Sequence, residues 1–178
     1  MPEVQPKSEV FTRIADAPGE GALDVFGPTV EFLSWSEDPL GSFCVLRGVV
    51  PPGVTVPLHS HDDVEDFFIV AGTQQVLVDG PGGLQWRDAH AGDYVRVPGG
   101  VPHAHRNVSD QPAVDIIVTT TRIGRFFKEV GRPVTESPKP PTPEELAHFA
   151  AAATRYGYHL GSRQDNAAVG IELPGVPA

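Results

Sequence analysis

Short, largely apolar segments recur along the chain between residues 29 and 121. Turn-forming sequences such as Pro51-Pro52-Gly53 and Asp79-Gly80 separate them. Because the segments are short and no long helical pattern lies between them, they predict an all-β sandwich or barrel. The predicted strands are residues 29–36, 43–50, 54–60, 65–71, 74–79, 84–88, 93–97, 103–108 and 113–121.

The segments on either side of this domain have a different character. Residues 1–28 are polar and turn-rich, and we expect them to pack as an arm or an edge strand. Residues 122–178 form a C-terminal extension that begins with a predicted short helix over 122–131. Five prolines between Pro133 and Pro143 then predict a stiff, extended connector.

A second helix is predicted after this connector, because Thr142, Pro143 and Glu145 combine an N-cap, a proline at the first helical position and a capping box. Gly157 is expected to end it. Its apolar stripe of Leu146, Phe149 and Ala150, with Ala153 beyond, needs burial, so we expect the helix to dock on the barrel or on a partner subunit.

Composition narrows the classes of partner. The chain has 13 basic and 23 acidic residues, a net charge of −10, which disfavours binding to nucleic acid. No apolar run approaches the roughly 18 residues needed to span a membrane, and the N-terminus does not resemble a secretory signal. Cys44 is the single cysteine and lies in an apolar run, so we expect a core residue and a cytoplasmic protein.

Histidines supply the candidate chemistry. His59 and His61 alternate on a predicted strand, so their side chains share a face. A turn at Asp62-Asp63 would bring Glu65 beside them, and His103 arrives from a later strand. Three imidazoles and a carboxylate can bind a divalent transition metal, with positions left for water or substrate. These ligands accept Fe, Ni, Mn, Co, Cu or Zn, so the metal stays open.

The alternative is that each histidine is an isolated surface residue or a buried residue with its hydrogen bonds satisfied. We assign His90, His148 and His159 to that class. This alternative explains His59, His61 and His103 less well, because imidazoles and the carboxylate of Glu65 recur on one face.

Two motifs extend this pattern. The first is Gly53-x5-His59-x-His61-x3-Glu65-x6-Gly72, and the second is Gly92-x5-Pro98-x-Gly100-x2-His103-x3-Asn107. They resemble the two motifs of the cupin superfamily, which implies a jelly-roll β-barrel. The resemblance also implies that His59, His61, Glu65 and His103 bind the metal, and that the glycines, the proline and Asn107 are structural.

The arrangement of one barrel followed by a helical extension resembles bacterial single-barrel proteins related to quercetin 2,3-dioxygenase. The resemblance implies a dioxygenase acting on a small aromatic or enolisable substrate. Glu65 would be the catalytic base, or would remain a metal ligand. Two alternatives stay open: a non-oxidative metal-dependent isomerase, decarboxylase or hydrolase, and a non-catalytic barrel that binds a small molecule.

Strand alternation suggests which residues line the substrate pocket. Phe67 and Ile69 share the face of Glu65, and His105 shares the face of His103. Core packing is the alternative for Phe67, and a buried, hydrogen-bonded position is the alternative for His105. Phe127 follows the last strand, and we expect it at the pocket rim if the extension folds back over the barrel.

The opposite face of that strand predicts an assembly. Phe68 and Val70 point away from the pocket and form an apolar outer face. Such a face needs a cover, which the C-terminal helix or a second subunit could provide. We therefore expect a homodimer.

Overall fold

The protein forms two antiparallel sheets that pack as a jelly-roll barrel. The structure, a computed structural model, describes residue 14 and residues 21–38, 41–137 and 139–173. Within these residues one sheet has seven strands and the other five, which confirms the predicted all-β class. Most of the predicted N-terminal arm lies outside the described residues.

The strands follow the predicted order along the chain. They are β1 (Leu23–Asp24), β2 (Thr29–Asp38), β3 (Gly41–Val50), β4 (Thr55–Ser60), β5 (Glu65–Ala71), β6 (Thr73–Gly80), β7 (Gly83–His90), β8 (Tyr94–Val97), β9 (His103–Arg106), β10 (Ala113–Thr119), β11 (Arg132–Pro133) and β12 (His159–Leu160). The helices are α1 (Thr121–Val130), α2 (Pro143–Arg155) and α3 (Arg163–Ala168). The larger sheet has the order β11-β1-β2-β3-β10-β5-β8, and the smaller has the order β12-β4-β9-β6-β7.

The nine predicted strands correspond to β2 through β10, and the predicted helices to α1 and α2. The capping box at α2 is confirmed, because Thr142 and Glu145 each accept a hydrogen bond from the other's main-chain N–H. The strands β1, β11 and β12 were not predicted: each has two residues, too few to show a periodic pattern.

The barrel core consists of apolar side chains that point inward from both sheets. Alternation is clear on β5, where Glu65, Phe67 and Ile69 are buried and Phe68 is exposed. Cys44 is fully buried in this core, as expected. This barrel core consists of Phe32, Cys44, Leu46, Phe67, Ile69, Val76, Ala89, Val97 and Ile117.

Helix α1 packs against one part of this core. A Cβ placed on Gly124 would lie 2.5 Å from Trp35 Cζ3 and 3.0 Å from Cys44 Sγ, so only glycine permits this approach. Helix α2 packs on α1 through Ala152 and Ala153, which are fully buried. The predicted stripe was partly wrong: Phe149 is half-buried, but Leu146 and Ala150 are exposed, because α2 contacts α1 through its C-terminal half.

The end of the extension is joined to β4. Asn166, fully buried on α3, accepts a hydrogen bond from the Leu58 N–H at 2.9 Å through its side-chain oxygen. The Gly161 N–H donates to the Leu58 carbonyl at 2.7 Å, and β12 pairs with β4. The extension therefore docks on the barrel. No helix of the described chain has both the length and the apolar character needed to cross a bilayer.

Homodimer formation stays a prediction. On the outer face of the larger sheet, Phe68 is 48% exposed and Tyr94 is 51% exposed, with ring centroids 5.0 Å apart. They lie on β5 and on the edge strand β8. The C-terminal helix α2 packs on α1 instead of on this face.

We expect Gly124→Ala to destabilise the fold. The new methyl group would collide with Trp35 and Cys44, and this overpacking outweighs the gain in helix propensity. The free energy of unfolding should fall by about 1–2 kcal/mol in urea titrations. Gly82→Ala is the control, because nothing lies within 4 Å of a Cβ at that position. Equal urea midpoints for the two variants would contradict the packing described here.

Candidate metal centre

Four side chains from three segments of the barrel converge on one point. His59 lies on β4, His61 follows it directly, Glu65 begins β5 and His103 begins β9. Pairing of β4 with β9 sets His59 opposite His103. The ligand atoms of all four residues lie within 4.8 Å of one another. The structure thus brings together the whole set proposed from the sequence.

Main-chain carbonyls fix the orientation of the three imidazoles. The Nδ1 atoms of His59, His61 and His103 lie 2.8, 3.0 and 2.8 Å from the carbonyl oxygens of Pro57, Asp63 and Val101. A carbonyl only accepts, so each Nδ1 donates and carries the ring hydrogen. Each Nε2 is therefore left with its lone pair, the form that coordinates a metal.

These lone pairs need a cation. Glu65 Oε2 lies 3.3 Å from Nε2 of His61 and 3.4 Å from Nε2 of His103. Within the described residues, both Nε2 atoms are buried and have no hydrogen-bond partner. Lone pairs facing a carboxylate repel it unless a proton or a metal ion lies between them. Three imidazoles and one carboxylate are the donor set of a divalent transition metal, so these residues fit such an ion.

Burial and the contact of Glu65 with His61 and His103 shift the pKa values at the site. Burial, reinforced by His103, lowers the pKa of His59 to about 3, so His59 is neutral at physiological pH. Burial also opposes charge on His61 and Glu65, but their mutual contact outweighs it. The result is a raised pKa for His61 and a lowered pKa for Glu65, which also contacts His103. Because the pKa of His61 is raised, a proton competes with a metal ion for its Nε2.

Asp63 ties His61 to the first helix of the extension. Its carbonyl accepts the His61 Nδ1 hydrogen bond, and its carboxylate accepts from Thr120 Oγ1 at 2.5 Å and from Arg122 Nε at 2.8 Å. Thr120 is the N-cap of α1. The sequence predicts only a turn at Asp63, because the partners of its carboxylate lie more than fifty residues away.

Tyr158 reaches the site from the extension. Its ring centroid lies 5.8 Å from that of His59, with the planes only 17° apart, and 4.7 Å from that of His61. Burial, with the carboxylates of Glu65 and Asp63, raises the pKa of Tyr158 well above its usual value, so the hydroxyl stays protonated. Sequence reasoning missed this residue; the only signal was its position just past the end of the predicted helix.

Three of the four predicted pocket residues, Phe67, Ile69 and His105, lie in the barrel interior near the candidate ligands. Phe67 and Ile69 belong to the barrel core. His105 is buried, with its ring centroid 4.7 Å from that of Phe67 and 5.8 Å from that of His103. Burial, with His103 adding to it, lowers the pKa of His105 to about 3. Phe127 is half-buried between the barrel core and the α1–α2 contact. Substrate contact by these residues stays a prediction.

Comparison with known proteins agrees with this geometry. Residues 46–119 match the family model of the cupin domain. The barrel is a cupin barrel. The match covers both the His59–Glu65 segment and His103. No curated protein matches the chain in sequence. The narrower resemblance to quercetin 2,3-dioxygenase stays a prediction.

Solved structures are similar to about half of this chain. The chain is 25% identical to the cupin domain of an XRE family transcriptional regulator from Enterobacter cloacae, covering 53% of this chain and 96% of that one, with a TM-score of 0.43. It is 29% identical to the DMSP lyase DddQ from Ruegeria pomeroyi, covering 51% and 45%, with a TM-score of 0.43. It is 23% identical to Bacillus subtilis oxalate decarboxylase, which has Mn(II) centres. That match covers 53% of this chain and 26% of the decarboxylase, with a TM-score of 0.44.

Removal of one imidazole should abolish metal binding. We expect His103→Ala, purified without a His tag, to contain much less metal than the native protein. Inductively coupled plasma mass spectrometry measures the metal content of both. His90→Ala is the control, because His90 is exposed and contacts Thr73 outside the cluster. Metal affinity should also fall as the pH is lowered, beginning above the ordinary imidazole pKa, since the pKa of His61 is raised and a proton competes for its Nε2. Full occupancy in His103→Ala would exclude His103 as a ligand.

Tyr158 should slow metal release. Its ring covers His59 and His61, so we expect Tyr158→Ala to lose metal to a chelator several-fold faster than the native protein. Tyr158→Phe keeps the ring and should release metal at the native rate. Stopped-flow absorbance with a chromogenic chelator measures both. Equal rates for all three proteins would show that Tyr158 does not shield the ligands.

Proposed function

We propose that this cupin is a metal-dependent dioxygenase acting on a small aromatic or enolisable substrate. One observation supports the proposal above all: three imidazoles and one carboxylate converge beside the apolar barrel core. Such a donor set leaves coordination positions free for other ligands. Phe67 below the site and Tyr158 beside it offer aromatic surface to a planar substrate.

Each residue of the site would have a role in metal binding or in proton transfer. His59, His61, Glu65 and His103 would hold the metal. When bound, the metal supplies Lewis acidity toward the hydroxyl of a phenol or enol and, if redox-active, reactivity with dioxygen. Glu65 would remain a ligand or, once displaced from the metal, would accept the substrate hydroxyl proton. Despite its burial, its contacts with His103 and His61 lower its pKa and keep the carboxylate ionised. A dioxygenase places both atoms of dioxygen in the product, so no external reductant is needed.

A non-oxidative enzyme is the second candidate. Glu65 is an ionised base beside the proposed metal, and this geometry also suits proton abstraction in an isomerase, a decarboxylase or a hydrolase. A barrel that binds a small molecule without catalysis would need the same cavity but not the carboxylate's base function.

Dioxygen uptake tests the proposal. Apo-protein is reconstituted separately with Fe, Mn, Ni, Co, Cu or Zn ions and supplied with a panel of phenols and enols. We expect substrate-dependent uptake with at least one metal. Glu65→Gln should lower that rate by about a hundredfold or more, because the amide cannot accept the proton.

Each alternative predicts a different result. Turnover under strictly anaerobic conditions would support the non-oxidative enzyme instead. Ligand binding without turnover under either condition would leave only the binding protein.

A further inference from the structure

A line of polar side chains continues inward from the metal ligands. Gln74, His105 and Asp115 are 1%, 5% and 2% exposed, respectively. Within the described residues, Gln74 Oε1, Asp115 Oδ1 and both ring nitrogens of His105 have no hydrogen-bond partner. Buried polar atoms are almost always paired, so these atoms need an explanation.

The three side chains are neighbours. The His105 ring centroid lies 5.8 Å from that of His103, which starts the line at the metal ligands. His105 pairs with Val76, so Gln74, two residues from Val76 on β6, is its diagonal neighbour on the same face. Gln74 Nε2 donates to Asp115 Oδ2 at 2.8 Å.

The line ends far from the metal ligands. Asp115 pairs with Ile69, four residues along β5 from Glu65. At a rise of about 3.3 Å per residue, it ends about 13 Å below the level of Glu65.

The unpaired atoms indicate which chemical group of a ligand could bind here. Gln74 Oε1 and the ionised form of Asp115 Oδ1 are hydrogen-bond acceptors, and the apolar side chain of Ile117 lies beside Asp115. Gly48 leaves the space that the carboxylate fills, since a Cβ there would lie 2.2 Å from Asp115 Oδ1. A barrel that required only packing would carry apolar residues at these positions, as it does at Ile69.

We infer that His105, Gln74 and Asp115 form an interior subsite for a hydrogen-bond donor, a hydroxyl or amino group, at the end of the substrate remote from the metal. This inference rests on the proposed function, because it takes the metal centre as the other end of the substrate. It restricts the substrate class to elongated molecules with a metal-binding oxygen at one end and a donor group at the other.

Matched ligand pairs test the subsite. The probes are 3-hydroxyflavone with its 4′-hydroxy derivative, and 4-phenylcatechol with its 4′-hydroxy derivative. Binding to cobalt-loaded protein is followed by the visible absorption of the metal. In at least one pair, the molecule with the distal hydroxyl should bind the native protein about tenfold more tightly, the value of one hydrogen bond to a buried partner.

The variants assign that preference to the subsite. Gln74→Leu/Asp115→Leu should bind both members of the pair equally. Gln75→Leu/Asp88→Leu is the matched control: it removes a Gln–Asp hydrogen bond of the same 2.8 Å length from an exposed position, and it should keep the preference. Asp115→Asn, which preserves the shape of the side chain, should reduce the preference to about threefold or less.

A second readout is independent of the metal. The urea midpoint of the apo form of Gln74→Leu/Asp115→Leu should be equal to or above the native midpoint, because both members of a buried pair with unsatisfied atoms are replaced by apolar groups. A lower midpoint with an unchanged ligand preference would assign the pair to the fold and overturn the inference.

Two other results would also overturn it. These are equal affinities of the native protein within both pairs, and absence of binding by all four probes. Failure of the dioxygenase proposal would be seen separately, as ligand preference without dioxygen uptake. Dioxygen uptake without ligand preference would remove the subsite alone.

Discussion

Three hydrogen bonds from imidazole Nδ1 atoms to main-chain carbonyls determine what the centre of this protein can do. Each carbonyl lies only two residues from its histidine, so the local backbone sets the ring orientation and the tautomer together. The Nε2 lone pairs of His61 and His103 then face the carboxylate of Glu65 in a buried space. The β4–β9 pairing and the N-cap of α1 hold these side chains in place. The lone pairs and the carboxylate create a negative potential there, which a bound cation would neutralise.

Much of the barrel and its centre could be predicted from the sequence because both depend on short-range patterns. Alternation placed His59 with His61 and Glu65 with Phe67, and the spacing of glycines and histidines identified the cupin motifs. Tyr158 could not be predicted in this way. Its place beside the histidines depends on β12 joining β4 and on α3 bonding to Leu58, which are contacts between residues about a hundred positions apart.

The interior also shows a tension between stability and function. The barrel core is apolar along most of its length, yet Asp115 and Gln74 are buried within it. Burial raises the pKa of Asp115 to about 7 despite the hydrogen bond from Gln74, which shows how little of its lost hydration the protein replaces. Burial of Asp115 lowers the stability of the ligand-free protein. Folding therefore favours an apolar residue at this position, whereas the proposed ligand binding favours a polar one.

The pairing of β12 with β4 also has a consequence for biosynthesis. The four metal ligands are all made by residue 103, but the strand that flanks His59 and the ring that covers it are made some fifty residues later. While the chain emerges from the ribosome, the ligands of a nascent barrel are therefore open on the side that Tyr158 later shields.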